Sequence, residues 1–362
     1  MEKTTAALAT PLREQLDRLA NFEPVEVPVV SLYLDMRPDG QGREHHANFL
    51  RKAWSERGQT LKGQSQESFI RDTERIDAYL QNEVPPQVNG LALFACSAAD
   101  GFFEAVQLEA AVEQNWLFIG PVPHLYPLAR INDQYPRYAA LLVDTNSARL
   151  FVFHLGRAHR QRQIANVKTR RTSMGGSAQG RYQRHRENYH LQHMKEVVDV
   201  LDRVVRDEVI TKIVVACDEV SRPLLMEQLP KHLAEKLVDV VRLDIDTPEQ
   251  RVLAETMEAL RHHDAETDAA HVEEMLGAWR GGGLAVAGPE ATLRALAMSQ
   301  VEELLLTSTD PQRLDDEGAR RAGELVTRAQ QQGARIRFIE DPALLADVGG
   351  VGALLRFKIE SR

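Results

Sequence analysis

The chain has 362 residues, enough for two or three domains, and the composition of an ordinary globular protein. It has no apolar run near the roughly 20 residues that cross a bilayer and no signal-peptide core in its first ten residues, so a cytoplasmic protein without membrane association is expected. The net charge of −9 argues against general nucleic-acid binding, and Cys96 and Cys217 lie in apolar runs that predict buried free thiols.

Residues 1–133 predict an α/β domain. β-branched runs bounded by turn residues indicate strands, and apolar residues at helical spacing indicate helices. The expected elements are the strand Val29–Leu34, the helices Arg43–Arg57 and Ser68–Asn82, and the strands Gly90–Ala95 and Phe102–Leu108. Pro121, Pro123 and Pro127 are then expected to break regular structure.

Residues 134–279 predict a middle domain. It begins with a hairpin of Tyr138–Val143 and Ala148–Leu155, and a long helix from about Tyr182 to Glu208 follows later. Strands and helices then alternate in the order Lys212–Ala216, Pro223–Leu237, Val238–Leu243 and Pro248–His262. This alternation predicts a mostly parallel or mixed sheet.

Residues 280–362 predict a small αβα sandwich that follows a hinge at Gly281–Gly283. Its expected elements alternate in the order Leu284–Ala287, Pro289–Met298, Val301–Thr307, Asp316–Gln331, Arg335–Ile339, a short helix and Leu354–Ile359. The fold class is therefore α/β (α+β) in three domains.

Basic residues are concentrated in the middle domain. The span from Arg157 to Arg186 holds nine of them and no Asp or Glu: Arg157, Arg160, Arg162, Lys168, Arg170, Arg171, Arg181, Arg184 and Arg186. An acidic chain with one basic projection is repelled by a polyanion in general and binds it at a single place.

Consecutive glycines lie at the centre of this span. Gly175 and Gly176 allow positive φ and close backbone approach to a ligand, and Gly180 frees the chain again before Arg181 and Tyr182. Two other interpretations exist. The segment is a flexible surface loop with solvated charges, or it is a phosphate loop, although it lacks the Lys-Ser/Thr ending and does not directly follow a strand.

The pattern Gly-Gly-x-x-x-x-Arg-Tyr-x-Arg-x-Arg resembles the catalytic loop of archaeo-eukaryotic peptide-chain release factors. The aligned residues are Gly175, Gly176, Arg181, Tyr182, Arg184 and Arg186. The ending Gly349–Phe357 resembles the end of that family's third domain, and Val301–Leu306 resembles that domain's second strand. Together the motifs identify a bacterial member of the release-factor and Pelota superfamily.

The resemblance implies a ribosome-associated factor in rescue, quality control or hibernation. Its RNA-binding residues would be Arg170, Arg171, Gly175, Gly176, Ser177, Gln179, Arg181, Tyr182, Arg184 and Arg186. The implied partners are ribosomal RNA and tRNA, with a translational GTPase as a further expected partner and no cofactor. The first segment lacks the family's stop-codon motifs, so codon-specific termination is not expected.

Catalysis depends on the family's glutamine, whose position Ser177 occupies here. A serine side chain is shorter and carries no amide, so the expectation leans against an enzyme. Two alternatives stay open. One is a peptidyl-tRNA hydrolase or tRNA 3′-end nuclease that uses Gln179, and the other is a protein-interaction module that acts away from the ribosome.

Further polar groups are interpreted structurally. His190 and His193 share a helical face with Arg186, and an RNA-facing or solvated face is favoured over a metal pair. Asp244 and Asp246 follow a strand and are interpreted as the approach to a helix rather than as a nuclease site. Arg356 and Lys358 are expected on a solvated face of the last strand.

Overall fold

The computed structural model describes residues 12–38, 46–86, 88–108, 110–165, 179–309 and 316–358. They contain three β-sheets with flanking helices, which confirms the predicted α/β class. Two compact units are present. One holds residues 136–266, and the other combines the N-terminal segment up to Tyr135 with the C-terminal segment from Thr267 onward. The division into three domains stays a prediction.

The N-terminal segment contains an antiparallel sheet in the order β3-β2-β1-β4. Its elements are α1 (Leu12–Ala20), β1 (Val29–Asp35), α2 (His46–Gly58), α3 (Gln64–Asn82), β2 (Gly90–Cys96), β3 (Phe102–Leu108), β4 (Trp116–Gly120) and α4 (Tyr126–Gln134). As expected, β4 ends at Gly120 before Pro121, and residues 121–125 form no helix or strand. Pro127 does not break regular structure, because it lies in the first turn of α4, where a missing N–H costs no hydrogen bond.

The C-terminal segment contains a mixed sheet in the order β10-β13-β11-β12. Its elements are β10 (Ala285–Ala287), α9 (Pro289–Ala297), β11 (Val301–Thr307), α10 (Asp316–Gln331), β12 (Arg335–Ile339), a 3-10 helix (Pro342–Val348) and β13 (Val351–Leu355). Gly349 and Gly350 both have positive φ, 73° and 79°, and turn the chain into β13.

The N- and C-terminal segments pack into one body. The buried Tyr126 hydroxyl lies 3.2 and 3.0 Å from the carbonyl oxygens of Thr307 and Thr309, and the N–H of Thr309 donates to it at 2.8 Å. Gln330 of α10 donates from Nε2 to Asp17 of α1 at 2.6 Å. These bonds join residues at opposite ends of the sequence.

The unit of residues 136–266 contains a mixed sheet in the order β7-β6-β5-β8-β9, with parallel β5–β8 and β8–β9 pairs. Its elements are β5 (Tyr138–Val143), β6 (Ser147–His154), β7 (Arg157–Ala165), α5 (Gln179–Asp207), β8 (Lys212–Cys217), α6 (Ser221–Gln228), α7 (Lys231–Ala234), β9 (Leu237–Val241) and the first part of α8 (Glu249–Arg280). Met194, Val197, Leu201 and Val204 of α5 are buried in its core.

Two helices differ from the sequence prediction. The expected helix Pro223–Leu237 is divided into α6 and α7 before Lys231, because Pro230 adopts an extended conformation. The expected helix Pro248–His262 continues instead to Arg280 as α8. No proline or glycine interrupts residues 263–276, and Val272 and Met275 are buried in the core of the C-terminal segment.

Candidate nucleic-acid interface

The predicted Gly-Gly segment connects β7 to α5. β7 was not predicted and forms the edge of its sheet, where its last residue, Ala165, pairs with Ser147 at the start of β6. Gln179 is the first residue of α5, which begins three residues earlier than the sequence indicated. Arg170, Arg171, Gly175, Gly176 and Ser177 lie outside the described residues, so their roles stay predictions.

The side chains that the structure describes in α5 begin at Tyr189. His190 Nδ1 is 2.8 Å from the carbonyl oxygen of Thr145 in the β5–β6 turn. The first fully buried apolar residue of the described helix face is Met194. Gln179 precedes His190 by eleven residues, or about 16 Å of helix at 1.5 Å per residue.

The first three turns of α5 contain all five remaining predicted residues. The backbones of Gln179, Arg181, Tyr182, Arg184 and Arg186 all lie in these turns. The N–H groups of a first helical turn have no partner within the helix, and the helix dipole adds a positive partial charge there. The positive partial charge of the helix backbone and the positive charge of the arginines therefore have the same sign at this end of α5. Both favour an anionic ligand.

His193 also belongs to α5, and its side chain is fully buried. Neither of its ring nitrogens has a hydrogen-bond partner among the described residues. Burial lowers the pKa of His193, so the neutral ring is favoured. The expectation of a solvated or RNA-facing side chain is therefore wrong for His193, because its ring is in the core, whereas His190 is half-buried and contacts Thr145.

The β5–β6 turn that supports α5 is fixed by Asp144. Its Oδ1 accepts hydrogen bonds from the backbone N–H groups of Asn146 and Ser147, each at 2.7 Å. This is the arrangement that Asp supplies in tight turns. The carbonyl of Thr145 is thereby held in place for His190.

The basic charge of β7 is partly neutralised. Arg160 Nη1 lies 3.1 Å from Glu208 Oε1, and Arg137 forms an ion pair with the other carboxylate oxygen of Glu208. Arg157 and Arg162 also have partners. β7 carries three of the nine basic residues, and the charge of one of them, Arg160, is paired with Glu208, which lies outside the basic span and which only the fold brings close.

The other polar candidates have structural roles. Arg149 Nη1 donates to the carbonyl oxygens of Ile245 and Thr247, both at 2.7 Å, and Asp244 accepts the N–H of Thr247 through its own carbonyl. These bonds fix the chain that leads into α8, which agrees with the structural interpretation of this segment. Among the described residues no group of three or more His, Cys, Asp or Glu side chains could hold a metal ion.

Arg356 and Lys358 are both exposed, as expected, but they follow β13 rather than lie in it. Arg356 Nη2 donates to the carbonyl of Gly333 at 3.3 Å, just after α10, and Lys358 Nζ donates to that of Gly282 at 2.7 Å, just after α8. Cations at these places satisfy carbonyl groups that a helix leaves without partners.

The N-terminal segment contains a pocket that the sequence did not indicate. Its volume is about 60 Å³, and Tyr33, Trp116, Pro127 and Tyr135 contribute to its mostly apolar lining. Arg130 lies at its side. The Nε atom of Arg130 is buried, and its Nη1 atom lies 3.4 Å from Glu113 Oε2. A pocket of this size accepts a few waters or one inserted side chain.

Residues 123–261 match the family described as Bacterial archaeo-eukaryotic release factor family 10. This range contains β5 to β9 and all of α5, including the basic span. None of the curated proteins compared with the chain matches it. Among the helices of the described residues, none has the length and apolar character needed to span a membrane.

Three solved structures are among those similar to the chain. The archaeal translation termination factor aRF1 is 19% identical, with 96% of this chain and 97% of that chain covered and a TM-score of 0.28. Dom34 of S. cerevisiae is 10% identical, with 75% and 80% covered and a TM-score of 0.44. A model of ribosome-bound archaeal Pelota and ABCE1 is 16% identical, with 96% and 95% covered and a TM-score of 0.44.

Proposed function

We propose that this chain, a bacterial member of the archaeo-eukaryotic release-factor and Pelota superfamily, binds ribosomes and tRNA through residues 157–186. In this proposal it acts in ribosome rescue, quality control or hibernation and does not read a stop codon. The single observation that supports it best is the position of α5. The family match covers α5, whose first three turns include the backbones of Arg181, Arg184 and Arg186.

Electrostatics would decide how this surface binds. Each phosphate that a protein cation neutralises releases counterions, so the affinity falls as salt rises. The chain as a whole has a net charge of −9, so attraction to RNA must come from a local surface. We expect the first three turns of α5, with their three arginines, to provide such a surface, and a translational GTPase remains an expected further partner.

The hydrolase and nuclease alternatives both depend on Gln179, and the position of that residue gives them little support. Gln179 opens a 29-residue helix, whereas the family's glutamine follows directly after the two glycines of its loop. Its backbone therefore lies in the helix. We expect binding without efficient peptidyl-tRNA hydrolysis.

The test measures ribosome co-sedimentation of full-length protein over a range of salt concentrations. Arg181→Ala, Arg184→Ala and Arg186→Ala together should flatten the slope of log K against log salt by about two to three units. The matched control is Lys195→Ala, Arg203→Ala and Arg206→Ala, which removes three exposed cations farther along the same helix. An equal loss in both triple variants, or none in either, would contradict the proposal. If the unaltered chain does not sediment with ribosomes, the remaining alternative is a protein-interaction module that acts away from the ribosome.

A further inference from the structure

One end of the C-terminal segment has an unusual surface. Trp279 and Phe357 are exposed at 42% and 45%, and no other Trp, Tyr or Phe of the described residues exceeds 40%. Leu284 and Met298 are each exposed at 47%. Large apolar side chains gathered on a surface commonly mark a binding site.

Backbone contacts place these residues at the same end of the fold. Gly282 donates its N–H to the carbonyl of Trp279 at 3.1 Å and accepts Lys358 Nζ at 2.7 Å. The carbonyl of Phe357 accepts Gln300 Nε2 at 3.3 Å, two residues after Met298. On the other side, Leu284 accepts the N–H of Leu355 at 2.9 Å. We call this surface the carboxy-terminal face and define it as Trp279, Arg280, Leu284, Met298, Phe357 and Lys358.

The carboxy-terminal face is positively charged. Arg280 follows Trp279 directly, and Lys358 follows Phe357. Neither cation forms an ion pair within the described part of the chain, since the hydrogen bond of Lys358 goes to a neutral carbonyl. The carboxylate of Glu302, in the strand that starts beside this end, is paired with Arg335 at 3.1 Å. The face therefore keeps an excess of positive charge on an acidic chain.

We propose that the carboxy-terminal face binds single-stranded RNA. Exposed aromatic rings stack on unpaired bases of any sequence, and cations beside them neutralise the adjoining phosphates. Among the described residues, the two exposed rings are those of Trp279 and Phe357, and each is followed in the sequence by a cation. A ring beside a cation is the combination that binding of single-stranded RNA requires. An acidic peptide would use the cations and the apolar side chains but would not depend on the aromatic character of the rings. This inference goes beyond the proposed function, because it concerns a second surface and free RNA rather than the ribosome.

The test uses the full-length chain with Arg181, Arg184 and Arg186 already changed to Ala, so that the contribution of α5 is reduced. Fluorescence anisotropy of a labelled 12-nucleotide oligouridylate measures the affinity at low salt. Adding Trp279→Leu and Phe357→Leu should weaken binding by at least about 10-fold, because stacking is lost while apolar character is kept. The control Val209→Ala with Val220→Ala changes exposed apolar residues of the other unit and should have no effect.

A charge variant tests the second part of the proposal. Arg280→Gln with Lys358→Gln should flatten the salt slope by about 1.4 units, since single strands give about 0.7 per phosphate. Arg203→Gln with Arg261→Gln is the matched control on exposed helix positions. Equal RNA binding with and without the two rings would overturn the proposal. Binding of polyglutamate in place of RNA, or self-association that the ring variants abolish, would overturn it as well. Thermal unfolding of each variant should match that of its parent, since all the changed side chains are exposed.

Discussion

Gly323 of α10 lies directly against the ring of His124, so that a β-carbon at Gly323 would come within 2.4 Å of Nδ1. The ring is also packed between Trp116 and Phe118, with centroid distances of 4.7 and 4.3 Å. Only a residue without a side chain fits at this position. The contact holds the C-terminal helix on the N-terminal sheet.

Gly323→Ala should therefore destabilise the protein. Alanine favours a helix by about 1 kcal/mol over glycine, but overpacking against a buried ring typically costs about 1–3 kcal/mol. Urea unfolding should show a lower midpoint. Gly277→Ala in α8 is the control, because a β-carbon there meets nothing within 4 Å, and it should be neutral or stabilising. A stabilised Gly323→Ala variant would contradict the packing described above.

The stability of the protein should fall in mild acid because of His124. Burial lowers the pKa of His124 from 6.5 to about 3. Between pH 6.5 and 3 the ring of His124 is therefore protonated in the unfolded chain and neutral in the folded chain. The free energy of unfolding falls as pH falls through this range, by about 1.4 kcal/mol per pH unit. The free energy of unfolding of His124→Gln, measured from pH 7.5 to 4.5, should change less steeply than that of the unaltered chain. Identical slopes would show that the ring is not held neutral.

Glu208 pairs with Arg160 of β7 and with Arg137, which directly precedes β5, and its charge should matter for stability. Its side chain is 18% exposed, and Glu208→Gln leaves Arg137 and Arg160 without their shared carboxylate. We expect a loss of about 1–2 kcal/mol in the free energy of unfolding, less than for a fully buried pair. Glu219→Gln breaks a pair with Arg242 in which both side chains are about 80% exposed, and should stay within about 0.5 kcal/mol. Similar losses in the two variants would refute the distinction.

Peptide release from stalled ribosomes should be inefficient. Attack of water on the ester needs a group held within about 3 Å of the reacting atoms, and Ser177 is too short to supply the amide that the family uses there. Ser177→Gln should increase the release of labelled peptide. Gln179→Ala should leave the low level unchanged. Strong release by the unaltered chain that disappears in Gln179→Ala would make this protein an enzyme.

Local sequence signals predicted the elements that depend on local structure. The bounds of β3, β5, β11 and β12 agree with the sequence prediction because turn residues delimit the apolar positions of each. α1 was missed, and its apolar positions are buried by packing on α10, more than 300 residues later, and on α4. In the candidate site, the burial of His193 and the ion pairs of Glu208 likewise arise from tertiary contacts, which no local sequence pattern indicates. The resemblance to the release-factor family rests on glycines and arginines in the sequence, which carry no sign of the charge that the fold neutralises.

The packing of α1 on α10 also constrains the order in which the protein can fold during its own synthesis. Asp17 and its partner Gln330 are separated by 313 residues. At about 5–20 residues per second, the first helix is made roughly 16–63 s before its partner exists. Leu16 and Leu19, buried in the finished protein, must wait through that interval without their final neighbours. Until α10 has been made, this apolar face of α1 is open to non-native contacts.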